Sequence, residues 1–314
     1  MSSIVASAAA SAPVRIVAGP TGAGKSGLAL DLAERHGAII VSADSRQIYV
    51  GFDVGTAAPS VRDRDRVPHR GIGYVEPTQR WSAARWAKDA SEWIAEATAR
   101  GQPVIVVGGT GLWIRALIHP LADEPPMDPD RRAELRHTLG ALDTSTLRRW
   151  VETLDPARAA LGRVQLLRAA EVALLTGTRM SDWHEAGSAK PRLRARWLIL
   201  DPLAGLHARL SARFDQMLAQ GWTDEVDALS RAIPPDAPAW NACGYREIRS
   251  WLEGHGTAAA AREAVLIRTR QYAKRQRTWF RNQLRGEPEV LRLDPRDTDA
   301  LERADRWLFD GGPT

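Results

Sequence analysis

The chain has 314 residues, 44% of them hydrophobic and 26% charged, enough for a large domain, or a core plus a smaller domain, without metal or disulfide staples. Its single cysteine, Cys243, excludes a disulfide framework or a zinc–thiolate cluster within the chain and fits a reducing, cytoplasmic setting. A net charge of +5 favours an anionic partner only weakly, and no apolar run approaches the ~20 residues of a membrane span.

Residues 1–13, MSSIVASAAASAP, lack a basic start and read as a disordered tail. A β-branched run over 14–18 predicts a buried strand ending at Gly19, and helical spacing follows over 25–36 until Gly37. A second strand is expected over 38–43. An amphipathic helix follows over 82–100, with Trp86, Ala90, Trp93, Ile94 and Ala97 on one face and Gly101 as its stop. A third strand, 103–107, runs into a glycine-rich turn. Strands alternating with helices predict an α/β fold with a parallel sheet covered on both faces.

The pattern then changes. From 120 to 191 the periodicity is helical with no strand, behind the prolines at 120, 125, 126 and 129, and Pro191 closes the segment. It reads as an all-helical insertion domain (120–191) in a core made of 14–119 and 192–314. RWLILD (196–201) returns to strand character, and helices are expected at 203–220, 223–232, 244–253 and 258–285. On the last of these, Arg270, Lys274, Arg277, Arg281 and Arg285 are spaced 4, 3, 4 and 4, which places five cations on one stripe. Residues 270–285 contain no acid, and such a stripe suits phosphate binding over a merely solvated face.

Residues 19–26 read GPTGAGKS, a G-x-x-x-x-G-K-[ST] loop between a strand and a helix. Gly19, Pro20, Thr21, Gly22, Ala23 and Gly24 turn backbone N–H groups toward phosphate oxygens, and the helix N-terminus adds partial positive charge. Lys25 supplies a point charge, and Ser26 can hold Mg²⁺. The Thr21 hydroxyl either reaches a bridging oxygen or merely forms a turn. Motor ATPases and GTPases usually place an acid after a later strand. Here the third strand ends in GGTG (108–111), and the acid follows the second strand, at Asp44 in SADSRQIY. By residue type alone Asp44 reads as an N-cap or Asx turn. Its position at the sheet edge beside the phosphate loop favours a general base. The seven histidines are scattered without metal-ligand spacing. The twelve tryptophans read mainly as core, and Trp279, among basic residues, either packs or touches RNA.

GPTGAGKS, VSADSRQIY (41–49), VGTAAP (54–59), VGGTGLWIRAL (107–117), RFDQMLAQGWTDEV (213–226), CGYREI (243–248) and TRQYAKRQRTWFR (269–281), in this order, closely resemble the tRNA dimethylallyltransferase family. The resemblance runs from residue 15 to about 285. It implies a P-loop NTPase-like parallel-sheet core, a helical insertion that grips a tRNA anticodon stem-loop, Mg²⁺ as cofactor, dimethylallyl diphosphate as donor, and a monomer. The acceptor would be the adenosine 3′ of the anticodon in tRNAs reading codons that begin with U. By carry-over the diphosphate lies on 19–26, Asp44 takes the proton of the adenine amine, and Thr21 and Arg213 flank the breaking bond. Asp44, Ser45, Arg46, Gln47, Thr110, Arg132, Gln165, Arg168, Lys274, Arg277 and Arg281 correspond to tRNA contacts.

The chain departs from the family at Arg70, where a second histidine is usual, at Trp81 and Trp113, and in a shortened stretch at 160–172. The rival readings are a P-loop nucleoside or metabolite kinase, an adenine-nucleotide isopentenyltransferase, and a non-enzymatic RNA-binding module. The kinase leaves the basic helix and the insertion unexplained, the nucleotide prenyltransferase needs no tRNA grip, and the module has no use for Lys25, Ser26 and Asp44 together.

Overall fold

The computed structural model describes residues 12–119, 125–187, 193–202 and 204–310. Residues 1–11 of the expected tail, and Pro120 and Pro191 at the expected boundaries, lie outside them. In chain order the elements are β1 (Val14–Ala18), α1 (Lys25–His36), β2 (Ile39–Ser42), α2 (Val61–Arg66), β3 (His69–Arg70), α3 (Ala83–Ala99), β4 (Val104–Gly108) and α4 (Gly111–Ile118). Four helices follow: α5 (Pro129–Ala141), α6 (Thr144–Leu154), α7 (Arg163–Thr176) and α8 (Met180–Gly187). The chain continues with β5 (Ala195–Leu200), α9 (Leu206–Ala219), α10 (Trp222–Ala232), α11 (Tyr245–Leu252), α12 (Ala258–Gln283), β6 (Val290–Leu293) and α13 (Ala300–Asp305). By their contacts they form two compact units, Met1–Ile118 with Leu193–Thr314, and His119–Arg192.

The larger unit is built on a six-stranded parallel sheet in the order β3-β2-β4-β1-β5-β6. Its central strands are continuous apolar runs, VIVVG in β4 and IIVS in β2, buried at every position, as a sheet covered on both faces requires. Ala18 pairs with Gly108 and with Ile199, and Ser42 with Val107. The carboxyl ends of β1, β2, β4 and β5 are therefore level, and the loops that leave them open on one edge, where open α/β sheets bind ligands.

The two edge strands, β3 and β6, and the helix α4 go beyond the sequence expectations. β3 has two residues, and β6 is VLRL with three of its four positions partly or fully exposed, so neither makes an apolar run. α4 begins directly at Gly111, after the turn that ends β4, and six of its eight residues are buried, so no amphipathic period marks it. Trp86, Trp197, Trp222 and Trp240 are among the largest fully buried side chains, as core tryptophans should be.

Every regular element among the described residues of the smaller unit is a helix. Asp128 caps α5 by accepting from the N–H groups of Asp130 and Arg131, and Asp143 caps α6 through Ser145 and Thr146. Leu139, Leu147, Val151, Leu166, Ala169 and Ala170 make its core. Beside that core Glu171 is buried to 1% exposure. Its carboxylate accepts from Arg136 Nε at 2.6 Å, Arg132 Nε at 3.3 Å and Arg168 Nη1 at 3.4 Å. Burial would raise this carboxyl, but the Arg136 hydrogen bond and the charges of Arg136 and Arg132 outweigh burial and hold it below the ordinary 4.5.

Glu171→Ala should destabilise the protein by roughly 1–3 kcal/mol, the loss of charge-assisted hydrogen bonds whose guanidinium ends remain partly exposed. A depressed native pKa contributes stability that is complete above the unfolded value and is lost as pH falls through the native one. The difference in unfolding free energy between wild type and Glu171→Ala, from chemical denaturation, should therefore shrink below pH ~4.5.

Candidate active site

The phosphate loop leaves β1 at Gly19, whose φ of +147° and close approach to β5 demand glycine: a Cβ there would lie 2.2 Å from the Leu200 carbonyl oxygen. Gly24 is the N-cap of α1 in the left-handed region, and no side chain caps the helix. No acid lies in its first turn, so its leading N–H groups are left for an anion. Leu206 and Leu210 of α9 pack against Gly22 and hold the loop from its other side.

Thr21, Lys25 and Ser26 line a cavity of 310 Å³ together with Asp44, Arg46, Gln47 and Arg213. Seven residues expected at the site thus meet in one place within the larger unit. Lys25 Nζ donates to the Pro20 carbonyl at 2.8 Å. Burial, then the neighbouring Arg213 charge, lowers the Lys25 ammonium to about 8, against the opposing pull of Asp44. Arg213 is half-buried, and desolvation lowers its guanidinium too, with Asp44 opposing. It forms no hydrogen bond or ion pair among the described residues. A half-buried guanidinium with no ion pair among the described residues, beside a half-buried lysine, has the chemistry that suits an anion.

The Asx-turn reading of Asp44 is seen directly, and it leaves one carboxylate oxygen over. Its Oδ1 accepts from the Arg46 N–H at 2.8 Å, an Asx turn, which leaves Oδ2 without a hydrogen-bond partner among the described residues, in the cavity with Lys25 and Arg213. Thr110 Oγ1 accepts from the Ser45 N–H at 3.1 Å, so Ser45 and Thr110 brace the Asp44 loop. Gln47 lines the cavity, but its amide is spent internally: Oε1 accepts from Ser42 Oγ, and Nε2 donates to the carbonyls of Thr56 and Ala57.

Three residues escaped the sequence reading. Gln276 of α12, 5% exposed, accepts from the Thr21 N–H at 2.8 Å and donates to the Gly109 carbonyl at 3.0 Å. Tyr272, one turn earlier, lines the cavity. Burial, reinforced by the Asp44 charge, pushes its phenol up to about 12, while a hydrogen bond with Thr110 opposes. Glu225 accepts from the N–H groups of Asp53, Val54 and Gly55 and from the Tyr245 hydroxyl, fixing the loop that forms the cavity wall. The available signal was the spacing of Thr269, Tyr272 and Gln276, which places uncharged polar groups on one face of the basic helix.

The five-cation stripe is corrected. Arg277 is ion-paired to Asp201 at 2.6 Å, and Arg270 to Glu263 at 2.9 Å, so carboxylates outside 270–285 neutralise both. Arg285 lies beyond the end of α12 at Gln283, and so off the stripe. Lys274 and Arg281 are exposed and carry no ion pair among the described residues. Trp279 packs: a Cβ on Gly111 would meet its ring at 2.2 Å. Arg132 and Arg168 belong to the Glu171 cluster of the smaller unit, where Gln165 is exposed. Among the described residues no group of three or more histidine, cysteine or carboxylate side chains is placed to hold a metal, and no helix is long and apolar enough to cross a membrane.

A model of the family described as IPP transferase matches residues 47–283, and one described as isopentenyl transferase matches 12–68. The tRNA dimethylallyltransferase of Phenylobacterium zucineum (strain HLK1) is 42% identical over 284 residues, 89% of this chain and 92% of that protein. That of Rhodospirillum centenum (strain ATCC 51521 / SW) is 43% identical over 296 residues, 92% of this chain and 93% of that one. Among solved structures, the full-length tRNA isopentenylpyrophosphate transferase of Bacillus halodurans superposes with a TM-score of 0.66 at 30% identity, over 93% of this chain and 94% of that one. A eukaryotic dimethylallyltransferase acting on tRNA does so with a TM-score of 0.76 at 25% identity, over 94% of this chain and 78% of that one.

Lys25 should make anion binding pH-dependent. Its charged form is lost as pH rises through about 8. Sulfate, which does not titrate in this range, should bind with an affinity that falls above that pH by up to about tenfold per unit. Calorimetric titrations between pH 6.5 and 9.5 read this, and Lys25→Met should bind weakly with no such bend.

Proposed function

This chain belongs to the IPP transferase family, and we propose that it moves a dimethylallyl group from dimethylallyl diphosphate to the N6 amine of the adenosine 3′-adjacent to the anticodon, in tRNAs reading codons that begin with U, releasing diphosphate. The observation that carries this reading is the meeting of Lys25, Arg213 and the open oxygen of Asp44 in one cavity behind an uncapped helix N-terminus.

The chemistry has two charge movements. As the allylic carbon–oxygen bond breaks, negative charge collects on the diphosphate. The loop amides, Lys25 and Arg213 face that charge, and as a half-buried guanidinium Arg213 gains most from an anion that grows. Thr21 stands beside the same oxygen. As the amine attacks, it becomes acidic, and Asp44 Oδ2 takes its proton. The Asx turn holds the carboxylate in place for this. The adenine leaves the stacked anticodon loop to reach the cavity.

Mg²⁺ fits the donor set. Ser26 lies exposed in the first turn of α1 at the cavity, and a hard cation that keeps several waters needs little more than one protein oxygen beside the diphosphate. Bound there, it would neutralise leaving-group charge. Lys274 and Arg281 serve the tRNA backbone; in the smaller unit Arg132 and Arg168 are already paired with Glu171, and the exposed Gln165 is the remaining contact. Arg46 stands at the mouth of the acceptor site. The single cysteine suits a reducing, cytoplasmic setting.

The test is a transfer assay with labelled dimethylallyl diphosphate, Mg²⁺ and unmodified tRNA, followed by nucleoside analysis. Wild type should yield N6-dimethylallyladenosine in tRNA and none from free adenine nucleotides, which also separates the nucleotide prenyltransferase. Asp44→Asn should slow single-turnover transfer by roughly 10²–10⁴ with tRNA affinity retained. A near-normal rate would remove the base assignment.

Lys274→Ala and Arg281→Ala should each weaken tRNA binding and lower the log–log salt slope by about 0.7–0.9 per lost contact. The donor Michaelis constant should hardly move. Unchanged slopes in both would leave the grip to the smaller unit.

A further inference from the structure

α12 presents two faces. Lys274 and Arg281 are exposed on one, whereas Tyr272 and Gln276 reach the cavity with the other. Gln276 hydrogen-bonds to both the phosphate loop and the loop that follows β4. Its Oε1 takes the Thr21 N–H of the phosphate loop, 255 residues away in sequence, and its Nε2 donates to the Gly109 carbonyl of the loop that follows β4. The fit is close: a Cβ on Gly109 would lie 2.2 Å from Gln276 Nε2. The neighbouring Thr110 accepts from the Ser45 N–H, which carries the connection to the Asp44 loop.

Resting on the transfer reaction above, we propose that Gln276 is a positioning residue: its amide clamps the donor's phosphate loop to the acceptor-side loop and so sets the separation between the two reactants. A primary amide suits this because one end must accept from an N–H while the other donates to a carbonyl. The clamp commits the Thr21 N–H to protein, so this amide orients the threonine and does not bind diphosphate. It also ties both loops to the helix whose outer face carries Lys274 and Arg281, so a polyanion seated there steadies the geometry of both.

Three variants test it. Gln276→Met fills the space without either hydrogen bond. Gly109→Ala, at a position outside the positive-φ region, pushes the amide aside from the other end. Gln276→Glu accepts from Thr21, but donates to Gly109 only when protonated. Single-turnover transfer should fall about 10- to 100-fold in Gln276→Met and in Gly109→Ala, with tRNA affinity by filter binding within about twofold of wild type. Inorganic pyrophosphate with Mg²⁺, measured by calorimetry, should bind more weakly to both. The double variant should be no worse than the poorer single one, because both break one clamp. The rate of Gln276→Glu relative to wild type should recover as pH falls, a signature that general destabilisation would not produce. Multiplying effects in the double variant, a flat pH ratio, or a loss in tRNA affinity in place of rate would overturn the clamp. If wild type transferred no prenyl group, the reaction assignment would fail, while the pyrophosphate affinities would still decide the clamp.

Discussion

Two cations, Lys25 and Arg213, are partly withdrawn from water in one cavity, where the Asp44 carboxylate is the charge that opposes the lowering of both. Such an excess of partly buried charge is costly, and each group answers in the same way, with a pKa lowered by desolvation. An anion repays that cost and restores Lys25 to its full charge. The rest of the core serves this arrangement: level strand ends bring the loops together, and α9 both carries Arg213 and packs its leucines on Gly22. The same excess suits a leaving group better than a resident ligand, since the field is strongest where negative charge is still increasing.

What the sequence discloses follows from how local each constraint is. GPTGAGKS is legible because all three of its glycines take a positive φ inside one eight-residue loop, and Asp44 because one strand and one turn suffice to place it. Arg277 misleads because its partner, Asp201, is 76 residues earlier and joins it only in the folded core. Gln276 is silent for the opposite reason. A neutral amide in a basic helix carries no charge pattern, and its meaning depends on Thr21 and Gly109, far off in the chain. β6 is hidden by Arg292 on an exposed edge, and α4 by burial on most sides. Long-range pairing is the common element in what escaped.

The cavity wall shows how the core protects its geometry against the excess charge inside. Residues 53–58 include Ala57 at a φ of +49°, a left-handed conformation that costs an L-residue about 1–2 kcal/mol. Glu225 offsets it with bonds to three successive N–H groups, and Gln47 binds the carbonyls of Thr56 and Ala57. Gly55 leaves no room for slack, since a Cβ there would fall 2.0 Å from Trp222 Nε1. Side chains that sequence alone assigns to surface or substrate are thus consumed in fixing backbone. Glu225 and Gln47 together fasten residues 53–58 and Gln276 fastens the phosphate loop, so the dipoles around the cavity are set before any ligand arrives. Preorganisation of that kind is what lets a few charges act on a transition state without reorganising during the reaction.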